Sequence, residues 1–336
     1  MLKPRIFELF VKNVAQPSRL QTRCLRYSTV TDALRIFLAF LSLSLFLNSA
    51  AVAQPENWKL VRDKTDARLR EIAGGVHGAM GVAVLDLKSG EHFAINENLI
   101  FPQGSAIKIP ILLEVYKQAS ADKLKLSDLR WLNKTDQVGG SGVLFELGDH
   151  TSQLSIRDLG VLMIVLSDNT ATNMLIELVG MENVNKMLAA LGLQQTRLQR
   201  KMLNTAASGR GEENIATPAE AARIMEILYR GEFLNRQVCD AILAILKKPK
   251  SGSINAALPA DIPVAFKPGG ISGVATEWAI VYLKERPYVV VVMENYAMGE
   301  EAATAMKEIS RTLYDYFRRL GNATRHGTYV DPALIK

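Results

Sequence analysis

The stretch "FPQGSAIKIPILLEV", residues 101–115, decides how the rest of the chain is interpreted. Ser105 is followed three residues later by Lys108, and then by the apolar run from Ile109 to Leu113. Residues i and i+3 share one face of a helix, so the Lys108 ammonium is expected to point back toward the Ser105 hydroxyl. Apolar neighbours would lower the pKa of that lysine by desolvation. The stretch therefore predicts either a capped helix with an incidental lysine or a nucleophile with its base.

The first 53 residues have the pattern of an export signal. Residues 1–35 carry seven basic and two acidic residues, residues 36–47 are apolar, and Ala51-Val52-Ala53 is a small-x-small end. The apolar run is shorter than the roughly 20 residues of a membrane span. We therefore predict a cleavable signal peptide over residues 1–53 and a periplasmic or secreted mature chain, with membrane contact only through the signal. An uncleaved anchor is the alternative.

Charge and cysteine content exclude several classes of function. The chain has 40 basic and 34 acidic residues, a net charge of +6. Most of that excess lies in the first 53 residues, so the remainder is nearly neutral and no nucleic-acid partner is predicted. Beyond those residues Cys239 is the single cysteine, and its apolar helical context predicts a buried side chain. The four histidines lack metal-ligand spacing, so neither a metal nor a cofactor is predicted.

The order of sequence patterns indicates the fold class. Residues 57–73 predict an amphipathic helix, and the following "MGVAVLDLKSGEHFAIN" predicts a β-hairpin. Residues 105–248 are mostly helical in pattern, and three strand patterns and a last helix follow. An antiparallel sheet built from both chain ends and flanked by helices fits this order, and a parallel doubly wound sheet does not.

We therefore predict an α/β (α+β) catalytic domain over residues 54–336. Residues 54–104 and 257–336 would form its α/β part, and residues 105–256 an inserted all-helical subdomain.

Two further motifs accompany Ser105-x-x-Lys108. Ser167-Asp168-Asn169 lies between apolar helical runs, where a helix N-cap is the structural alternative. Lys267-Pro268-Gly269-Gly270 ends the strand pattern "PVAFK", where an edge strand stopping in a Pro-Gly turn is the alternative. A second Ser-x-x-Lys, at Ser120, lies in a charged helix end and predicts solvated surface.

Together the three motifs resemble the Ser-x-x-Lys, Ser-Asp-Asn and Lys-Thr-Gly boxes of class A β-lactamases and penicillin-binding serine hydrolases. The segments "LGLQQTRLQR", "ATPAEAARIM" and "GGISGVATEWAIVYL" are also similar to class A sequences. The resemblance covers roughly residues 57–320. It implies the β-lactamase/transpeptidase-like fold and a metal-free serine acyl-transfer reaction.

The resemblance also implies catalytic roles at the matching positions. Ser105 would be the acylated nucleophile, and Lys108 would hold or receive its proton. Ser167 would pass a proton to the leaving nitrogen. Lys267 would supply positive charge near Ser167 and the substrate carboxylate.

Substrate-binding roles follow in the same way. Asn169 would bind the amide of the substrate's side chain, Gly269 would line the site within the third motif, and the N–H groups of Ser105 and Gly270 would form the oxyanion hole. Asn204 is the nearest side-chain amide in the loop after "TRLQR", where it could position a water.

Two residues depart from the family pattern. Class A enzymes carry a glutamate in that loop to activate the deacylating water, but this chain has Met202 there, and Glu212 and Glu213 follow about ten residues later. Pro268 replaces the hydroxyl residue of the third box. Acylation is expected to survive both changes, and the acyl-enzyme is expected to accumulate.

The resulting expectation is an exported, monomeric serine hydrolase that opens β-lactams through Ser105 and binds a small-molecule β-lactam or cell-wall peptide. The alternatives are a D-alanyl peptidase or esterase, a penicillin-binding sensor that acylates and stalls, and a non-catalytic ligand-binding module.

Overall fold

A computed structural model describes residues 56–324 and 326–330. Its helices are α1 (Glu56–Gly74), α2 (Lys108–Ser120), α3 (Ile156–Val165), α4 (Asn169–Val179), α5 (Met181–Ala190), α6 (Thr205–Gly209), α7 (Pro218–Arg230), α8 (Arg236–Leu246), α9 (Ser253–Ala256) and α10 (Gly299–Asn322). Its strands are β1 (Ala79–Asp86), β2 (His92–Ile95), β3 (Phe101–Pro102), β4 (Leu129–Trp131), β5 (Gln153–Ser155), β6 (Ile215–Ala216), β7 (Val264–Ile271), β8 (Val274–Val281) and β9 (Tyr288–Asn295).

A five-stranded antiparallel sheet is formed by both halves of the chain, in the order β2-β1-β9-β8-β7. Strand β9 is central because its run "YVVVVMEN" is apolar on both faces, and it pairs with β1 at Val82↔Val292 and with β8 at Trp278↔Val291. Strand β7 is the edge strand, with Lys267 opposite Trp278. The predicted antiparallel sheet and its flanking helices are confirmed.

Two hydrophobic clusters lie on opposite faces of this sheet. Along β9, Val289 and Val291 belong to the cluster shared with α2 to α5, α7 and α8, whereas Val290 and Val292 belong to the cluster shared with α1 and α10. This alternation follows from the two-residue period of a strand. Each face of the sheet is therefore covered by helices, and the catalytic motifs lie on the face covered by α2.

The predicted division at residues 104/105 and 256/257 stays a prediction. Helix α7, which falls in the predicted helical part, packs directly on the sheet, because a Cβ at Gly81 in β1 would lie 2.8 Å from Pro218 Cγ. The predicted signal over residues 1–53 lies outside the described residues. Within the part of the chain that the structure describes, no helix is both long and apolar enough to cross a membrane.

Candidate active site

The turn that carries Ser105 is fixed by Gln103. A single 3₁₀ turn spans Gly104–Ile107, and α2 begins only at Lys108, so Ser105 does not cap an α-helix. The Gln103 side chain is fully buried; its Oε1 accepts from Trp278 Nε1 (3.0 Å), and its backbone oxygen accepts from Thr276 Oγ1 (2.9 Å). Strand β8 therefore holds the residue two positions before the nucleophile.

Glycines allow this turn to press against the edge strand β7. A Cβ at Gly269 would overlap the backbone oxygen of Gln103 and lie 2.6 Å from the nitrogen of Ala106. Gly104 has φ +48°, and a Cβ there would lie 2.8 Å from Gly270 N. The backbone next to Ser105 thus meets the backbone of Gly270, which is the arrangement that two converging oxyanion donors require.

Lys108 is completely buried, but its ammonium turns toward Ser167. Among the contacts of the described residues, its Nζ donates to Ser167 O (2.6 Å), Ser167 Oγ (3.1 Å) and Asn169 Oδ1 (2.9 Å). These three acceptors match the three donors of a lysine. These contacts add Ser167 and Asn169 as partners of Lys108, and its orientation toward Ser105 stays a prediction.

Ser167 occupies a strained position between α3 and α4. Its φ of +54° lies in the left-handed region, which costs a non-glycine residue about 1–2 kcal/mol. The next residue, Asp168, caps α4 by accepting from Ala171 N (2.8 Å), so the capping alternative is correct for Asp168. Ser167 and Asn169, on either side of this cap, are the residues that face Lys108.

Asp168 also holds a glycine-rich loop beside the site. Its Oδ2 accepts from Val143 N (2.7 Å) and Leu144 N (2.9 Å), and a Cβ at Gly142 would collide with this carboxylate. Asn169 Nδ2 donates to Gly139 O (2.9 Å). The amide predicted to bind substrate is therefore engaged by the loop in this structure.

Lys267 lies across the site from Lys108. Its Nζ donates to Ser167 Oγ (3.1 Å) and to Pro268 O (2.7 Å). Pro268 has no N–H, and its carbonyl accepts from the Lys267 side chain. The backbone nitrogen and oxygen of residue 268 therefore point away from β8. The strand continues to Ile271, so the alternative of an edge strand stopping in a Pro-Gly turn after Lys267 is wrong. By the two-residue alternation, the N–H of Gly270 also faces the open edge.

Burial shifts the protonation of both lysines. Burial holds the pKa of Lys108 well below its usual range, and the charge of Lys267 lowers it further, against the attraction of Asp168. The predicted pKa shift of Lys108 is confirmed. Burial and the charge of Lys250 lower the pKa of Lys267 to about 7, against the attraction of Glu277. A neutral amine, which can accept a proton, is therefore accessible next to Ser167 near neutral pH.

The loop after "TRLQR" presents Met202 as a buried residue. Asn173 accepts from Met202 N (2.7 Å) and donates to Met202 O (3.1 Å), and 7% of the methionine is exposed. Asn204 is exposed, and its Oδ1 caps α6 by accepting from Ala207 N (3.1 Å). Asn204 thus caps the short helix of this loop. That it positions a water stays a prediction.

Neither glutamate farther along this loop is directed to the nucleophile. Glu212 pairs with Arg210 on the surface, at 2.7 Å from Nε. Glu213 accepts from Arg200 Nη2 (2.8 Å) and from the Ser208 hydroxyl. These contacts direct neither carboxylate toward a deacylating water, because both glutamates pair with residues of the loop itself.

Sequence reasoning missed Gln103 and Asn173 as residues that shape the site. Asn173 is four residues after Asn169 and shares its helix face, which was a usable signal. For Gln103 the sequence shows only a polar side chain between Pro102 and Gly104, and this pattern does not predict a structural role. Ser120, in contrast, is exposed at the end of α2, as predicted.

Comparison with known proteins extends over most of the chain. The profile described as the beta-lactamase enzyme family matches residues 64–317. The imipenem-hydrolyzing β-lactamase of Enterobacter cloacae is 28% identical over 250 residues, covering 72% of this chain and 85% of that protein. A β-lactamase structure from Sphaerobacter thermophilus has a TM-score of 0.70 at 32% identity, covering 75% of this chain and 96% of that chain. A mutant of PBP-A, solved as an acyl-enzyme complex with penicillin G, shares the fold, with a TM-score of 0.70 at 23% identity over 76% of this chain and 97% of that chain.

Proposed function

Because the chain belongs to the beta-lactamase enzyme family and is a serine β-lactamase-like hydrolase, we propose that it opens β-lactam amides through an acyl-enzyme on Ser105. The observation that carries this proposal is the convergence of two buried lysines on Ser167 Oγ, each at 3.1 Å, beside the turn of Ser105. A purely structural serine does not require two desolvated cations.

The acylation step uses these groups in sequence. Ser105 Oγ attacks the lactam carbonyl carbon while its proton passes to the neutral amine of Lys108. The N–H groups of Ser105 and Gly270 stabilise the oxyanion that forms. When the C–N bond breaks, the nitrogen takes the hydroxyl proton of Ser167, and Lys108 returns the proton to Ser167. Lys267 donates to Ser167 Oγ and so leaves the hydroxyl proton directed at the leaving nitrogen.

Within the described residues, the loop after "TRLQR" offers no base to the deacylation step. The backbone of Met202 is clamped by Asn173, and the ion pairs of Glu212 and Glu213 keep both carboxylates within the loop. A water needs a base within about 3 Å to attack the acyl carbonyl. We therefore expect the β-lactam acyl-enzyme to persist. This favours, as the second candidate, a penicillin-binding sensor or D-alanyl peptidase that acylates readily and releases β-lactams slowly.

Intact-protein mass spectrometry after mixing with penicillin G separates these cases. A long-lived adduct of one penicillin per chain is expected in the parent, and Met202→Glu should shorten its lifetime by about a hundred-fold, the usual scale for adding a base. Glu212→Gln is the matched control, because it removes a carboxylate of the same loop that pairs only with surface Arg210. No adduct at all would overturn the proposed function. Rapid turnover in the parent would overturn only the assignment of the loop.

Export belongs to the same proposal. We propose cleavage after Ala53, giving a periplasmic, monomeric mature chain whose partner is a small-molecule β-lactam or cell-wall peptide. N-terminal sequencing of the periplasmic protein should begin at Gln54. A cytoplasmic product that retains Met1 would contradict the proposal.

A further inference from the structure

Three buried or half-buried ionisable groups surround the third motif. Lys267 lies on the face of β7 that meets the Ser105 turn. Glu277, on the neighbouring strand β8, stands opposite Pro268 and therefore lies on the other face of the sheet. Lys250, in the segment between α8 and α9, has its Nζ 4.2 Å from the centre of the Phe266 ring, the residue before Lys267. Glu277 and Lys250 thus both lie on the face of the sheet opposite Lys267, next to the residues that follow and precede it in β7.

The Glu277 carboxylate is held in place but is incompletely bonded. It is 1% exposed, and its Oε2 accepts from Ser253 N (2.7 Å) and Ile254 N (3.2 Å). Within the described residues its Oε1 has no hydrogen-bond partner, and a Cβ at Gly252 would lie 2.5 Å from it. A desolvated carboxylate with a free oxygen interacts strongly with nearby charges, because little solvent screens it.

The Lys250 ammonium is fixed by the end of α8. Its Nζ donates to Leu246 O (2.6 Å) and Lys248 O (2.8 Å), which are carbonyls at the negative end of that helix. No carboxylate pairs with it among the described residues. Lys250 is therefore a positioned cation rather than a mobile surface lysine.

We propose that Glu277 and Lys250 are positioning residues that set the protonation of Lys267 from opposite directions, Glu277 favouring the charged form and Lys250 the neutral form. The other charged groups around Lys267 are Lys108 from α2 and, beyond it, Asp168 at the start of α4. The charge on Lys267 then decides how the Ser167 hydroxyl is oriented. That last consequence rests on the proposed function, whereas the protonation itself does not.

The direction in which each pKa is shifted agrees with this arrangement. Burial raises the pKa of Glu277 to about 7, and the charge of Lys267 opposes that rise. Burial lowers the pKa of Lys250 to about 8, and Glu277 opposes that fall. Three groups whose charges change near neutral pH therefore lie in or beside one strand pair.

The direct test is an NMR titration of the Lys267 Cε resonance in protein labelled with ¹³C-lysine, assigned with Lys267→Arg. Glu277→Gln keeps an acceptor for both backbone N–H groups and should lower the Lys267 midpoint by about one pH unit. Lys250→Met should raise it by about the same amount. Lys247→Met is the control: it removes an exposed cation three residues away that lies over Tyr282 instead, and the midpoint should not move.

The pH profile of penicillin acylation, followed by intact mass, supplies the second readout. Its basic limb should move to lower pH in Glu277→Gln and to higher pH in Lys250→Met. Midpoints that stay fixed or move in the same direction in both variants would overturn the inference, whatever the activity. Shifted midpoints without any penicillin adduct would leave the inference standing and would overturn the proposed function.

Discussion

Replacing Lys267 with methionine should make the protein more stable at neutral pH while impairing acylation. Lys267 is 1% exposed, and its hydrogen bonds go to Ser167 Oγ (3.1 Å) and Pro268 O (2.7 Å). No carboxylate forms an ion pair with it among the described residues. An amine kept in such a place is a functional group that lowers the free energy of unfolding.

The size of the effect follows from the lowered pKa. A pKa that falls from 10.5 to about 7 on folding corresponds to a destabilisation of roughly 4 kcal/mol at pH 7. Methionine loses the two hydrogen bonds, worth about 1 kcal/mol each, so the net gain is about 2 kcal/mol. For a domain of this size the melting temperature should rise by roughly 4–8 °C.

The stability difference between the parent and Lys267→Met should depend on pH in a definite direction. Because the folded pKa lies below the unfolded one, the folded state binds fewer protons between pH 7 and pH 10.5, and the parent gains stability as pH rises through that window. The advantage of Lys267→Met should therefore shrink and reverse toward pH 10. Urea unfolding at pH 7, 8.5 and 10 measures it, with exposed Lys247→Met as the control. A variant that is less stable than the parent at pH 7, or a difference that does not vary with pH, would refute the reasoning.

Three further predictions concern the nucleophile. Ser105→Ala should abolish covalent labelling by a penicillin, and exposed Ser120→Ala should leave it intact; labelling that survives in Ser105→Ala would exclude Ser105. Lys108→Arg keeps the charge but holds its proton, so acylation should slow by at least about a hundred-fold with the fold preserved on circular dichroism, and an unchanged rate would make Lys108 structural. Gly269→Ala should displace the 3₁₀ turn through its contact with Gln103 and reduce acylation by about a hundred-fold, whereas Gly299→Ala, at the start of α10, should not; equal rates would remove the oxyanion argument.

The sheet and the three motifs could be predicted because each leaves a local pattern. Strand β9 is a continuous apolar run, and each catalytic motif combines residue types that a buried helix or strand rarely tolerates. Asp168 illustrates the limit of that reasoning. Its capping role is local and was the structural alternative that the sequence offered, but its bonds to Val143 N and Leu144 N join segments more than twenty residues apart and leave no mark in the sequence.

Two features of the site were not evident in the sequence, for equally specific physical reasons. Pro268 indicates a turn in sequence because proline disrupts a strand ladder, but on an open edge the missing N–H breaks no bond. Helical spacing relates Lys108 to Ser105 but gives no sign of Ser167, whose left-handed backbone presents both its carbonyl and its hydroxyl to the Lys108 ammonium. Such a backbone conformation at a serine cannot be inferred from residue type.

The pairing of β1 with β9 has a consequence for the order in which the protein folds. Asp86 and Tyr288 are neighbours in the sheet, although most of the chain lies between them. The central strand β9 is therefore synthesised long after β1. Until it arrives, β1 with β2 can form only an isolated hairpin, which is marginally stable in water. Closing so long a loop before the sheet can form makes folding slow. A nascent chain that ends before Tyr288 should remain sensitive to protease along its first hairpin, and release of the complete chain should protect β1 and β9 at the same time.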